Sequence, residues 1–305
     1  MKKVAFLFPG QGAQYVGMGQ DFYENFPSAR EVFELASSTT GIDVPKLCFE
    51  ENERIHQTEY TQLAMLTTEV AILRVIENLG IKADLTAGLS LGEYAALSAG
   101  KVIKNEALFP LIRARGIYMQ NAYPEGGAMA AVLGAEPSLV KKICKRVEGI
   151  VSVANDNCPG QIVISGEAKA VTEACNQLKE SGVKRCVPLK VSGPFHSKLL
   201  ASAGTNLQKV LKPVEVFDPQ IPYISNVTAQ PVTEKEEVKK LLVKQVSSEV
   251  RFRESILKLL ELQVDTFVEI GPGKTVQGFV KKTDPNVTVL GVEKVGDLER
   301  LTAVL

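Results

Sequence analysis

No sign of charge prevails in this chain: 35 lysines and arginines face 35 aspartates and glutamates over 305 residues. Such a balance gives no global field to draw nucleic acid or an anionic membrane, so a charged partner must be met by a local patch. No C-x-x-C pair occurs among Cys48, Cys144, Cys158, Cys175 and Cys186, and their number is odd. That spacing argues against a zinc site or a disulfide framework and for a reducing compartment. Long apolar runs are also missing at the start. The opening MKKVAFLFPG ends its apolar run at Pro9, too early for a signal peptide and far short of the ~20 residues of a membrane span. The expectation is a cytoplasmic protein with no metal, no nucleic acid and no membrane among its partners. Histidine is scarce: only His56 and His196 can supply an imidazole.

What is present is apolar and ordered. Hydrophobic residues make up 45% of the chain, enough for a sizeable core. KVAFLF reads as a buried strand running into a glycine-rich turn, and residues 62–80 as a long apolar helix ended by Gly80. DLTAGLS is a short strand, GEYAALSAG a helix closed at Gly100, and residues 105–120 another helix. After YPEGG the order becomes strand, helix, strand, strand, helix, strand, the ferredoxin-like β-α-β-β-α-β arrangement. The C-terminal part reads as one helix over LVKQVSSEVRFRESILKLLEL, then VDTFVEIGPG as strand and turn, and NVTVLGV as a late strand. The fold expected is α/β: an α/β-hydrolase-like core with a mostly parallel sheet, from residues 1–126 and 192–305, with a ferredoxin-like subdomain inserted at 127–191.

Gly88-Leu89-Ser90-Leu91-Gly92 is a Gly-x-Ser-x-Gly sequence between an apolar strand and a helix, the setting of a nucleophile elbow. Glycines at its flanks permit a sharp turn and a close backbone approach. The turn would aim the Leu91 amide at a developing oxyanion, at a helix N-terminus that favours negative charge. The same residues also suit a serine that merely caps the helix. A serine nucleophile needs a base. His56 sits in the polar stretch ENERIHQTEY and reads as surface. His196 follows the last strand of the small subdomain, where sites in such sheets are built, and follows Ser90 in the order used by α/β-hydrolases. A capping histidine would look alike. No acid stands out to orient it.

On the helix over 105–120, Leu108, Leu111, Ile112, Arg115 and Met119 share one face. Arg115 interrupts an apolar stripe. Either it snorkels, with its stem buried and its head wet, or its guanidinium awaits a carboxylate that it can hold through two parallel hydrogen bonds.

FPGQGAQYVGMG, GLSLGEYAALSAG, IRARGIYMQ, GGAMAAVLG, SVANDNCPGQIVISG, SGPFHS and EIGPGK occur in this order. Together they resemble the malonyl-CoA:acyl carrier protein transacylases along essentially the whole chain. The resemblance implies ping-pong transfer of malonyl from malonyl-CoA, through an ester on Ser90, to the phosphopantetheine thiol of acyl carrier protein, with no cofactor of the enzyme's own. It implies His196 as base and then acid, oriented by the backbone carbonyl of Gln245. It gives Gln11 and Leu91 as oxyanion amides, Arg115 as the partner of the malonyl carboxylate, and Asn155 and Asn157 as cleft residues. Phe195 resembles the malonyl-selective form of its motif. Leu89, Leu63 and SSEVRF depart from the family's commoner residues. An acidic carrier would need a basic patch, for which Lys141, Lys142, Lys145, Arg146, Lys184, Arg185 and Lys190 are candidates. Two other readings remain: a stand-alone acyltransferase loading a polyketide synthase, and a serine hydrolase or thioesterase.

Overall fold

A computed structural model of the chain describes residues 2–191 and 193–305. Ser192, which opens the SGPFHS motif and marks the expected subdomain boundary, lies outside the described residues. In chain order the strands are β1 (Val4–Phe8), β2 (Leu85–Gly88), β3 (Gly127–Leu133), β4 (Val151–Cys158), β5 (Gln161–Glu167), β6 (Arg185–Pro188), β7 (Tyr223–Ile224), β8 (Pro231–Val232), β9 (Thr266–Ile270) and β10 (Thr288–Val292).

Six of them form one sheet in the order β10-β9-β1-β2-β7-β8. All its pairings are parallel except the last, where β8 runs antiparallel to β7. Strands buried on both faces read as continuous apolar runs, and β1 is such a strand: all five of its residues are buried. Its alternating side chains enter two different cores. Val4, Phe6 and Phe8 join the large cluster that includes the helix Thr58–Asn78. Ala5 and Leu7 join the opposite cluster around Phe252, Phe267 and Phe279. The helix Thr58–Asn78 starts four residues before the expected one and has apolar side chains on most of its circumference, which suits its place inside the molecule.

The second sheet has the order β4-β5-β3-β6, antiparallel throughout. With the helices Pro137–Arg146 and Ala168–Glu180 between its strands, it follows the ferredoxin-like sequence of elements. It has its own core, including Val132, Ile143, Ile164, Val171 and Leu178. The molecule is thus α/β with a mostly parallel sheet and a separate antiparallel one. None of the described helices is long and apolar enough to cross a membrane.

One expected element is corrected. The helix over LVKQVSSEVRFRESILKLLEL is two helices, Lys235–Gln245 and Phe252–Glu261. Between them Val250 turns aside to bond the second sheet, its N–H donating to the Ala154 carbonyl at 2.7 Å while its own carbonyl accepts from the Asp156 N–H at 3.0 Å. This pairing outweighs the helical tendency of the sequence, and it ends the first helix at Gln245.

Candidate active site

The serine turn is built by steric exclusion. β2 ends at Gly88, Ser90 takes a left-handed φ of 57°, and the helix Gly92–Ala99 begins at once. A Cβ on Gly88 would lie 1.9 Å from the Gly92 carbonyl carbon, and one on Gly92 would lie 2.4 Å from the Phe8 carbonyl oxygen. Only hydrogen fits at either place. A left-handed residue other than glycine is strained, and here two side chains hold it. Asn226 accepts from the Ser90 N–H at 2.8 Å and donates to the Gly88 carbonyl at 2.7 Å. The Gln245 amide donates to the Ser90 carbonyl at 3.0 Å.

Ser90 Oγ lies 2.7 Å from His196 Nε2, and His196 Nδ1 lies 2.9 Å from the Gln245 carbonyl oxygen. A carbonyl only accepts, so Nδ1 carries the proton and Nε2 is left free to take one from the serine. The carbonyl is available because the helix ends at Gln245, where backbone oxygens lose their helical partners. His196 is buried. Burial, and then the nearby Arg115 charge, push its pKa down from 6.5 to about 4, opposed by the hydrogen bond to Gln245.

Arg115 does not snorkel: only 1% of it is exposed. Its Nη1 donates to Gln62 Oε1 at 2.7 Å, and its Nη2 donates to Gln245 Oε1 at 2.9 Å and to Ser90 Oγ at 3.0 Å. The guanidinium also faces the Tyr94 ring, 5.3 Å from its centroid, while Nε has no hydrogen-bond partner among the described residues. Burial lowers its pKa from the ordinary value. Arg113 points away, bonding Glu59 and the Thr40 carbonyl.

Ser90 and His196, 106 residues apart in the chain, line a cleft of about 320 Å³ together with Gln62, and the Arg115 guanidinium lies behind them, bonded to Ser90 and Gln62. Gln11, Leu91, Asn155, Asn157 and Phe195 line it as well. His56 is exposed on a short 3-10 helix, Glu53–His56.

Residues 5–300 match the acyl transferase domain family. The chain is 45% identical over 304 residues to the malonyl CoA-acyl carrier protein transacylase of Bacillus subtilis, covering 98% of this chain and 96% of that one. The chain belongs to the acyl transferase domain family, among the malonyl CoA-acyl carrier protein transacylases. Solved transacylases share the architecture. The enzyme from Clostridium perfringens superposes with a TM-score of 0.96 at 44% identity, over 99% of this chain and 96% of that one. A malonyl-transacylase in complex with its holo type II polyketide carrier protein gives 0.97 at 36% identity, over the full length of both.

Three residues of this transacylase fold were not apparent in the sequence. Gln62, on the helix Thr58–Asn78, braces Arg115. Asn226, in the loop after β7, clamps the serine turn from 136 residues away. Glu93, buried on the first turn of the helix after the serine, accepts from the Asn226 N–H and from Gln245 Nε2, both at 2.9 Å. Glu93 is the only one with a local signal, as a charge in the otherwise apolar run GEYAALSAG. Among the cations that could meet an acidic carrier, Lys141 is paired with Glu249 at 2.9 Å, and Lys142, Lys145, Arg146, Lys184, Arg185 and Lys190 are exposed as it is.

Proposed function

We infer that the protein moves a malonyl group from malonyl-CoA to the phosphopantetheine thiol of acyl carrier protein, for fatty acid synthesis in the cytoplasm. One observation carries the reading: Ser90 Oγ sits between an imidazole nitrogen at 2.7 Å and a buried guanidinium nitrogen at 3.0 Å. The first arrangement activates a nucleophile. The second sets beside the nucleophile a cation with which the carboxylate of a ligand can pair.

In the first half-reaction the malonyl carboxylate binds Arg115, which sets the thioester carbonyl over Ser90. Oγ attacks that carbon as its proton passes to His196 Nε2. The backbone amides of Gln11 and Leu91 receive the negative charge that forms on the carbonyl oxygen. His196 then protonates the departing coenzyme A sulfur, and malonyl remains as an ester on Ser90. In the second half-reaction His196 removes the proton of the carrier's thiol, whose sulfur attacks the ester, and Ser90 Oγ leaves with that proton. Protons balance over the cycle, and the chemistry requires no metal or cofactor of the enzyme's own. Asn155, Asn157 and Phe195 shape the cleft, and a ring at Phe195 crowds a branched acyl group. Residues 1–126 and 192–305 supply the nucleophile, base and guanidinium, while 127–191 close the cleft from the other side.

A serine hydrolase shares the Ser90–His196 pair, so the test is the fate of the ester. Carrier protein should discharge malonyl-Ser90 far faster than buffer does; equal rates would favour a hydrolase. The relative bound to a polyketide carrier makes the choice of carrier a second comparison. Faster discharge by a fatty acid carrier supports the assignment, and faster discharge by a polyketide carrier moves it to polyketide loading.

A further inference from the structure

Glu93 has no part in the transfer steps, yet it is wholly buried beside them. Its Oε2 accepts from the Asn226 N–H and from Gln245 Nε2, while its Oε1 has no hydrogen-bond partner among the described residues. Gln245 then turns the other end of its carboxamide to Arg115, accepting from Nη2. A single amide therefore bridges a buried carboxyl group and a buried guanidinium. Among the described residues no carboxylate forms an ion pair with Arg115 directly. The other titratable groups facing Glu93 are Tyr94, on its own helix, and Tyr223 on β7. Burial raises both phenols well above their ordinary value, so they stay neutral. His196 is uncharged near neutral pH. Arg115 and Glu93 are thus the charges of this buried region.

We propose that Glu93 is a positioning residue that supplies the resting counter-charge of Arg115 through Gln245, and that the carboxylate of an incoming malonyl group takes over that role. The inference rests on the malonyl-transfer reading of the site. One buried cation cannot compensate two buried carboxylates. When the acyl carboxylate reaches Arg115, Glu93 takes a proton from solvent and becomes a neutral acid. It is ready to do so, since burial holds its carboxyl at about 7 against the opposing Asn226 and Gln245 hydrogen bonds and the Arg115 charge. Ionised Glu93 therefore competes with malonyl for Arg115, and protonated Glu93 does not. An acetyl group, which lacks the carboxylate, is indifferent to that competition.

The test is the ratio of the half-saturating concentrations of malonyl-CoA and acetyl-CoA for loading Ser90, measured from about pH 6 to 8.5. The ratio removes effects shared by the coenzyme A portion. In the native enzyme it should rise with pH, by roughly 3–10-fold, the effect of one like charge near the binding cation. In Glu93→Gln it should stay flat at the low-pH value. A purely structural role would raise both concentrations in the variant together. A flat ratio in the native enzyme, or the same rise in the variant, overturns the proposal. A second measurement needs no variant: loading in weakly buffered solution near neutral pH should take up protons with malonyl-CoA and not with acetyl-CoA, and equal uptake overturns the proposal too. Failure of the malonyl reading itself would be seen separately, as no malonyl ester on Ser90.

Discussion

At the scale of single residues, the site places one polar hydrogen-bond network around two opposite demands. In the proposed reaction His196 has to be neutral to act as a base, and Arg115 has to be charged to hold a carboxylate. Gln245 serves both, with its backbone carbonyl under His196 and its side chain against Arg115. Substitution should separate the two functions. Arg115→Ala should remove the preference for malonyl over acetyl by roughly 2–4 kcal/mol, the loss of charge-assisted hydrogen bonds, read as the ratio of loading rates. Gln245→Ala keeps the carbonyl, so it should weaken malonyl preference more than it slows acetyl loading. An equal fall in both rates would show that the side chain only supports the fold. The pH dependence follows from the sign of the His196 shift. A folded-state pKa lowered to about 4 leaves the imidazole neutral, and competent as a base, through the weakly acid range. Acetyl loading after a rapid pH jump should hold steady as pH falls through 6.5 and drop only toward about 4. A midpoint near 6.5 would mean that His196 is hydrated during turnover.

Ser90, His196 and Arg115 could be picked out in the sequence because each stood out locally: a glycine-flanked serine, one of only two histidines, a charge in an apolar stripe. Gln245 came only from family resemblance, because what it offers the histidine is a backbone oxygen that any residue type has. Gln62 and Asn226 left no local trace. Their roles depend on contacts over 53 and 136 residues of chain, which no local pattern encodes.

At the scale of elements, the turn at Ser90 and the break after Gln245 do the positioning. Both are imposed by neighbours more than by propensity. The turn exists because β1 lies so close that the Phe8 carbonyl would meet any side chain at position 92. Gly92→Ala should therefore cost about 3 kcal/mol or more, through overpacking and backbone displacement, and should abolish loading as well. A variant that melts and loads like the native protein would refute this account of the turn. The break was not legible, because SSEV carries no glycine or proline to announce it, and only the pairing of Val250 with β4 ends the helix. The two-residue strands β7 and β8 were missed for a related reason: they are too short to show a period. Long strands such as β1 and strongly apolar helices such as Thr58–Asn78 were legible, since their burial is written along many consecutive residues.

At the scale of the whole molecule, two sheets border one cleft. The parallel sheet leads into Ser90, the proposed nucleophile, and the antiparallel sheet faces it across the opening. Segment 246–250 ties them together through the Val250 hydrogen bonds and the Lys141–Glu249 pair. The order of elements in the second sheet was legible because its strands and amphipathic helices alternate cleanly. A balanced net charge leaves carrier recognition to local cations, and Lys141 is already engaged. Reversing the exposed Lys142 and Lys145 to glutamate should raise the carrier concentration needed for half-maximal discharge several-fold and weaken its salt dependence, while loading from malonyl-CoA keeps its rate. No change in discharge would move the docking surface elsewhere. The most direct test of the whole account is the mass of the intact protein after mixing with malonyl-CoA. The native enzyme should gain one malonyl group and lose it on addition of carrier protein, and Ser90→Ala should gain none. A malonyl adduct of equal yield on Ser90→Ala would contradict the account.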